Sequence, residues 1–256
     1  MSNLGELLKE KINNGEKAFI PYIMIGEESL DRSYEDILFF EKAGATLIEL
    51  GIPFSDPTSD GKVIQESGIK ALKNGVNVEK VFELIKKVRE VSDIPLVIMS
   101  YINPIFKYGL EEFFKTSKEV NLQGVILPDV PIEEKAFIEE YIDKYEIAYI
   151  PLYSPTTPKS RVKDLCLNGE GFLYVVTSLG VTGEKDIDKK ALEEEFNLIR
   201  KEATLPLMAG FGISSKEDVK EIIKYADGVI VGTKVIKLLR ENDYNTLEDL
   251  IKASKL

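Results

Sequence analysis

Three carboxylates crowd one stretch of the chain: Glu49, Asp56 and Asp60, all between Leu47 and Gly61. Glu49 lies in an apolar run, Thr46–Gly51, that reads as a buried strand, and side chains alternate across a strand. With Ile48 and Leu50 turned to one face, Leu47, Glu49 and Gly51 turn to the other. An acid held among apolar neighbours has a raised pKa, because desolvation disfavours the anion. Such a group suits proton transfer near neutral pH. The bland alternative is a solvated, idle Glu at a misjudged strand end. Asp56 and Asp60 sit in a loop punctuated by Pro and Gly, where an Asp commonly serves a turn or caps a helix. Asp60 precedes Gly61 and a helix expected to begin near Lys62, so capping competes with chemistry there.

What the chain lacks narrows the chemistry. With no His in 256 residues, Ser-His-Asp and Cys-His arrangements and imidazole metal ligands are excluded. Proton transfer falls to carboxylates, Lys, Tyr or the single Cys. One cysteine permits no intrachain disulfide and no cysteine-rich metal site. Cys166, in the helical stretch Val162–Leu167, reads as a small core residue. A net charge of −11 argues against nucleic acid or an anionic membrane as the main partner. Met1–Lys17 alternates Leu and Ile with Glu and Lys, unlike a signal peptide. No run approaches the roughly 18 apolar residues of a spanning helix, so the expected location is the cytoplasm.

Glycines supply a second chemical feature. They cluster in Gly180-Val181-Thr182-Gly183, Gly210-Phe211-Gly212-Ile213-Ser214 and Gly232-Thr233. Glycine lets backbone N–H groups approach an anion, and a helix N-terminus adds partial positive charge. Gly232-Thr233 opens the stretch Lys234–Leu239, which fits a short phosphate-binding helix; Lys234 itself reads as a solvated helix residue. Tight turns alone are the competing explanation.

These groups need elements to hold them. Short apolar runs recur at Ala18–Ile25, Thr46–Gly51, Pro95–Tyr101, Gly124–Pro128, Ile147–Leu152, Phe172–Thr177, Pro206–Ala209 and Gly228–Val231. Their β-branched content and Gly/Pro punctuation favour buried strands. Helical stripes lie between them, such as Val78, Val81, Phe82, Ile85 and Val88, and Phe137, Ile138, Tyr141, Ile142 and Tyr145. Regular alternation implies parallel strands joined by right-handed crossovers. Eight units in this length fit an α/β fold, a single (β/α)8 TIM barrel over residues 1–256 with an extra N-terminal helix. In that fold the active groups lie at the C-terminal strand ends. An open doubly wound sheet is the alternative, but no G-x-G-x-x-G follows the first strand and no P-loop occurs.

With these residues in view, the chain from Ala18 to about Arg240 resembles the tryptophan synthase α-subunit family. The matching stretches are Ile20-Pro21-Tyr22, Glu49-Leu50-Gly51-Ile52-Pro53-Phe54-Ser55-Asp56-Pro57, Asp60-Gly61, Ile64-Gln65, Tyr101-Ile102-Asn103-Pro104, Pro128-Asp129-Val130-Pro131 and Pro155-Thr156-Thr157-Pro158, together with the three glycine clusters. The resemblance implies a barrel that cleaves indole-3-glycerol phosphate to indole and glyceraldehyde 3-phosphate, with no cofactor of its own. It also implies a β-subunit partner, which carries pyridoxal phosphate, in an α2β2 assembly. Carried over residue by residue, Glu49 is the general acid/base and Asp60 its partner at the indole N–H. Tyr22, Met99, Tyr101, Tyr174, Thr182, Phe211 and Ile230 would surround the substrate. Gly183, Gly212, Gly232 and Thr233 would hold the phosphate, and Asp56 and Pro57 would face the β subunit. The chain departs from the family pattern at Tyr22, Glu27-Glu28, Thr58-Ser59, Lys62 and Thr233.

The implied reaction agrees with the composition. A retro-aldol cleavage needs an electron sink; a Schiff-base enzyme needs a lysine in a strand, and none of the eight runs has one. A zinc enzyme would expect His. The indole ring can itself accept the electrons once protonated at C3. Two other readings compete: a different phosphosugar barrel, such as an epimerase or isomerase, and a regulatory subunit without turnover.

Overall fold

The computed structural model describes residues 4–176, 189–210 and 212–255. Its strands are β1 (Ala18–Met24), β2 (Ile48–Gly51), β3 (Leu96–Met99), β4 (Gly124–Ile126), β5 (Ala148–Tyr149), β6 (Leu152–Tyr153), β7 (Leu173–Val176), β8 (Leu207–Gly210) and β9 (Gly228–Val231). Among the described residues every strand pairing is parallel, in the order β5-β4-β3-β2-β1-β9-β8-β7-β6. The two ends of that order are consecutive pieces of one segment, so the sheet closes on itself. Ile150 N–H donates to Val125 at 3.0 Å on one side, and Tyr174 N–H donates to Pro151 at 3.0 Å on the other. The run Ile147–Leu152, expected as one strand, is therefore two short ones. Pro151 separates them, and proline has no N–H for a ladder.

Strand alternation sorts the apolar residues into two clusters. One contains Ala18, Ile20, Leu47, Val97, Ile126, Ala148, Ile150, Tyr174, Met208 and Ile230, the inward-facing positions. The other contains Ile48, Leu50, Ile98 and Val125 with the helix stripes, and lies between sheet and helices. Leu4 and Leu8 of the helix Leu4–Asn13 are fully buried in the inner cluster. Leu4 packs near Gly171, just before β7, so this extra helix covers the end of the barrel where strands begin.

The stripe Val78, Val81, Phe82, Ile85 and Val88 is buried throughout, as its spacing predicts. The stripe of the helix Ala136–Tyr145 is narrower than expected. Ile138 and Ile142 are buried, whereas Phe137 is 40% exposed and stacks on Phe106. Cys166 is buried in the helix Val162–Asn168, as expected for a core residue. Asp129 accepts from Ile102 N–H through both oxygens at 3.1 Å, at the start of the helix Ile102–Tyr108. This gives the Pro128-Asp129 motif a local role, since it serves a helix end whose first N–H groups lack intrahelical acceptors. Among the described residues no helix is long and apolar enough to cross a membrane.

Candidate active site

Glu49 stands on β2 between Tyr22 of β1 and Val97 of β3, its register partners on either side. Its flank neighbours Ile48 and Leu50 belong to the outer cluster, which leaves the carboxyl facing the barrel interior. The residue is 0% exposed, and among the described residues neither carboxyl oxygen has a hydrogen-bond partner. A buried acid without donors holds its proton tightly. Desolvation, reinforced by the nearby Asp60 charge, pushes the Glu49 pKa up to about 8.

Asp60 reaches the same space from the loop after β2. The helix Lys62–Lys73 starts where expected, but Gly61 is its N-cap and no side chain caps it. Capping therefore does not occupy the Asp60 carboxylate. Instead Oδ1 accepts from the Tyr101 hydroxyl at 3.3 Å, while that hydroxyl accepts from Ser59 N–H at 2.9 Å. Burial raises the Asp60 pKa to about 6, and the Tyr101 hydrogen bond opposes the rise. The loop is also held from the helix side, where Gln65 Nε2 donates to the Asp60 carbonyl at 2.9 Å. Two carboxyl groups in one pocket thus have pKa values pushed apart, so near neutral pH one is mainly an acid and the other mainly an anion.

Two close approaches shape the cavity. A Cβ on Gly51 would run into the Tyr22 hydroxyl, and one on Gly210 into the Tyr174 ring. Glycine at these strand ends is what lets two tyrosines fold across the barrel mouth. Burial first, and then the neighbouring carboxylates, raise both phenol pKa values well above normal, so both hydroxyls stay protonated.

The cavity is lined by Tyr22, Glu49, Asp60, Met99, Tyr174, Gly212, Ile230, Gly232 and Thr233, all expected from the sequence. Gly232 is the N-cap of the helix Thr233–Arg240. By helix geometry the first N–H groups of that helix have no intrahelical acceptor, which suits an anion. Gly212, at φ 78°, adopts the left-handed backbone that glycine favours. Beyond Ile213, the N–H groups of Ser214 and Ser215 are taken by Asp218 at 2.9 Å each. Tyr101 is not in the cavity wall; it acts on it through Asp60. Asp56 is exposed and Pro57 half-buried on the loop crest. Thr182, Gly183 and Phe211 lie outside the described residues.

Sequence reasoning missed several wall residues. Ile64, Ile213 and Val231 line the same cavity, and a second hollow sharing Met99 is lined by Leu127, Leu152 and Val176. One had a readable signal: Ile64 lies four residues after Asp60, about one helical turn.

Comparison with known proteins places the chain. The sequence model of one family, the tryptophan synthase alpha chain, matches residues 8–255. The chain belongs to that family. A tryptophan synthase alpha chain from Bacillus cereus is 42% identical over 250 residues, covering 98% of this chain and 97% of that protein. The crystal structure of tryptophan synthase subunit alpha from Legionella pneumophila superposes with a TM-score of 0.90 at 29% identity, covering 99% and 98% of the two chains. A chain of Mycobacterium tuberculosis tryptophan synthase gives 0.91 at 26% identity, covering 100% and 99%. The closed (β/α)8 architecture is that of these relatives. As a member of the tryptophan synthase alpha chain family, the protein is a carbon–carbon lyase that cleaves indole-3-glycerol phosphate in tryptophan biosynthesis. The epimerase and isomerase readings are set aside.

Proposed function

We propose that Glu49 and Asp60 together carry out the cleavage, with the substrate ring between them and its phosphate on Gly212, Gly232 and Thr233. The observation that carries this reading is the buried, hydrogen-bond-free Glu49 carboxyl beside an Asp60 held by Tyr101. Protonated Glu49 gives its proton to indole C3, which places positive charge on the ring. Asp60, as the anion, accepts a hydrogen bond from the ring N–H and stabilises that charge. Glu49, now a carboxylate, takes the proton from the glycerol hydroxyl next to the C3 bond. That carbon–carbon bond breaks, its electron pair returns to the ring, and indole and glyceraldehyde 3-phosphate leave with Glu49 reprotonated. The ring is the electron sink, so the chain needs no cofactor. Tyr22, Met99, Tyr174 and Ile230 exclude water around the ring, with Tyr101 holding Asp60.

The proposal extends to Gly183, Thr182 and Phe211 as substrate contacts, and to Asp56 and Pro57 as the face met by a β subunit in an α2β2 assembly. Exposure of that loop crest and the M. tuberculosis tryptophan synthase likeness support the partner. Pyridoxal phosphate belongs to the β subunit. The whole chain acts as one barrel domain in the cytoplasm; the single closed sheet supports the domain reading.

Indole release by the purified chain, alone and with β subunit, is the test. Glu49→Gln is expected to lower kcat by at least about 10²–10⁴-fold with the protein still folded. Release that survives this change refutes the proton-transfer role. A wild-type chain that only stimulates the β subunit, with no indole release of its own, would restore the regulatory reading.

A further inference from the structure

Glu27, in the turn after β1, is a carboxylate outside the substrate cavity with side-chain partners on two helices. Its Oε1 accepts from Arg240 Nε at 2.6 Å and from Lys70 Nζ at 3.0 Å, and its Oε2 accepts from Ser67 Oγ at 2.8 Å. Arg240 Nη2 closes the ring of contacts by donating to Ser67 Oγ at 2.9 Å. Asn74 fastens the same turn from below, its Nδ2 donating to the carbonyls of Gly26, Glu27 and Glu28 at 3.0, 3.0 and 3.1 Å.

The two helices joined in this way carry opposite ends of the cavity. Lys62–Lys73 starts two residues after Asp60 and holds the Asp60 carbonyl through Gln65. Thr233–Arg240 starts at the Gly232–Thr233 cavity wall and ends on Arg240 itself. A helix of this length is about 12 Å long and rigid, so fixing its last residue constrains its first. The Glu27 and Arg240 side chains are 16% and 28% exposed, which shields their contact more than a surface pair.

We infer that Glu27 is a positioning residue for the lyase reaction: held by Arg240, Ser67 and Lys70, it sets the spacing between Asp60 and the Gly232–Thr233 anion cradle. The inference rests on the roles proposed above for Asp60 and the cradle. A substrate anchored by its phosphate meets Asp60 correctly only if that spacing is right, and small misplacements cost rate rather than affinity. The backbone N–H groups of the cradle keep their arrangement relative to one another, so phosphate binding survives a change in that spacing.

Glu27→Gln keeps the side-chain size and removes the charge; Arg240→Gln removes the partner. Each is assayed with β subunit for kcat, for KM of indole-3-glycerol phosphate and for competitive inhibition by glycerol 3-phosphate. The expected result is a fall in kcat of about tenfold in each, with KM and the inhibition constant within about twofold and the double variant no worse than the worse single one. Unchanged kcat overturns the inference. So does a rise in KM alone, or a kcat loss accounted for entirely by loss of folded protein in thermal melts. Wild type measured in parallel separates the two levels. An inactive wild type defeats the functional reading, whereas an active wild type with an unaffected Glu27→Gln defeats only this inference.

Discussion

A carboxyl group with no hydrogen-bond donor is expensive to ionise in a protein interior, and Glu49 accepts that penalty in return for holding a proton at neutral pH. The pH dependence follows from the two pKa values. The proposed mechanism requires Asp60 ionised and Glu49 protonated at the outset, so kcat/KM should rise through about 6 and fall through about 8. The substrate phosphate also titrates near 6, so the alkaline limb is the diagnostic one. Tyr101→Phe removes the hydroxyl that lowers the Asp60 pKa. Its acid limb should move upward, with kcat/KM at pH 7 reduced roughly three- to tenfold. Stability gives an independent readout. The folded protein binds the Glu49 proton more tightly than the unfolded chain, so this residue contributes less stability as pH rises from the ordinary carboxyl range to about 8. Glu49→Gln should therefore raise the urea midpoint at pH 8.5 by more than at pH 5, through a term on the order of 3 kcal/mol. An equal or opposite effect at the two pH values would contradict the buried-acid picture.

Strand alternation made the inward direction of Glu49 legible, because Ile48 and Leu50 had to face the helices. The role of Asp60 was less legible. An Asp before a helix start looks like a cap, and only the fold shows Gly61 in the cap position and Tyr101, 41 residues away, on the carboxylate. Nothing local in the sequence encodes that long-range bond. The break of one expected strand into β5 and β6 could have been read from Pro151, whose missing N–H interrupts any ladder. The strand-end glycines are legible as turns but not as packing devices. Their function depends on the tyrosines one strand away: Tyr22 over Gly51 and Tyr174 against Gly210. Gly51→Ala tests this directly. The new methyl should drive the Tyr22 ring from its place in the cavity wall and lower kcat/KM by about 10- to 100-fold. An unimpaired variant would show that the ring has room to move.

At the scale of the molecule, the proposed chemistry and the N-terminal helix occupy opposite ends of the barrel. The cavity opens where strands end, while Leu4 and Leu8 of the first helix fill the end where they begin. Leu8→Ala should thus cost about 2–5 kcal/mol in urea unfolding and leave kcat per folded molecule unchanged at 25 °C. Loss of kcat without loss of stability would contradict that division. The barrel itself was legible because eight apolar runs alternate with helical stripes over the whole length, and the closed parallel sheet has that form. Residues such as Leu127 and Val176 were not legible as cavity walls. Their apolar side chains look the same in a core as beside a ligand; pairing of β4 with β3 sets Leu127 beside Met99, and only closure of the sheet brings Val176 there.

A titration of the side-chain carboxyl carbons by ¹³C NMR, with Glu49→Gln as the assignment control, addresses the central claim most directly. The Glu49 resonance should report the protonated acid at pH 7 and titrate near 8, with Asp60 titrating near 6. A Glu49 that titrates in the ordinary range of about 4–5 would contradict the account, because it could not deliver the first proton.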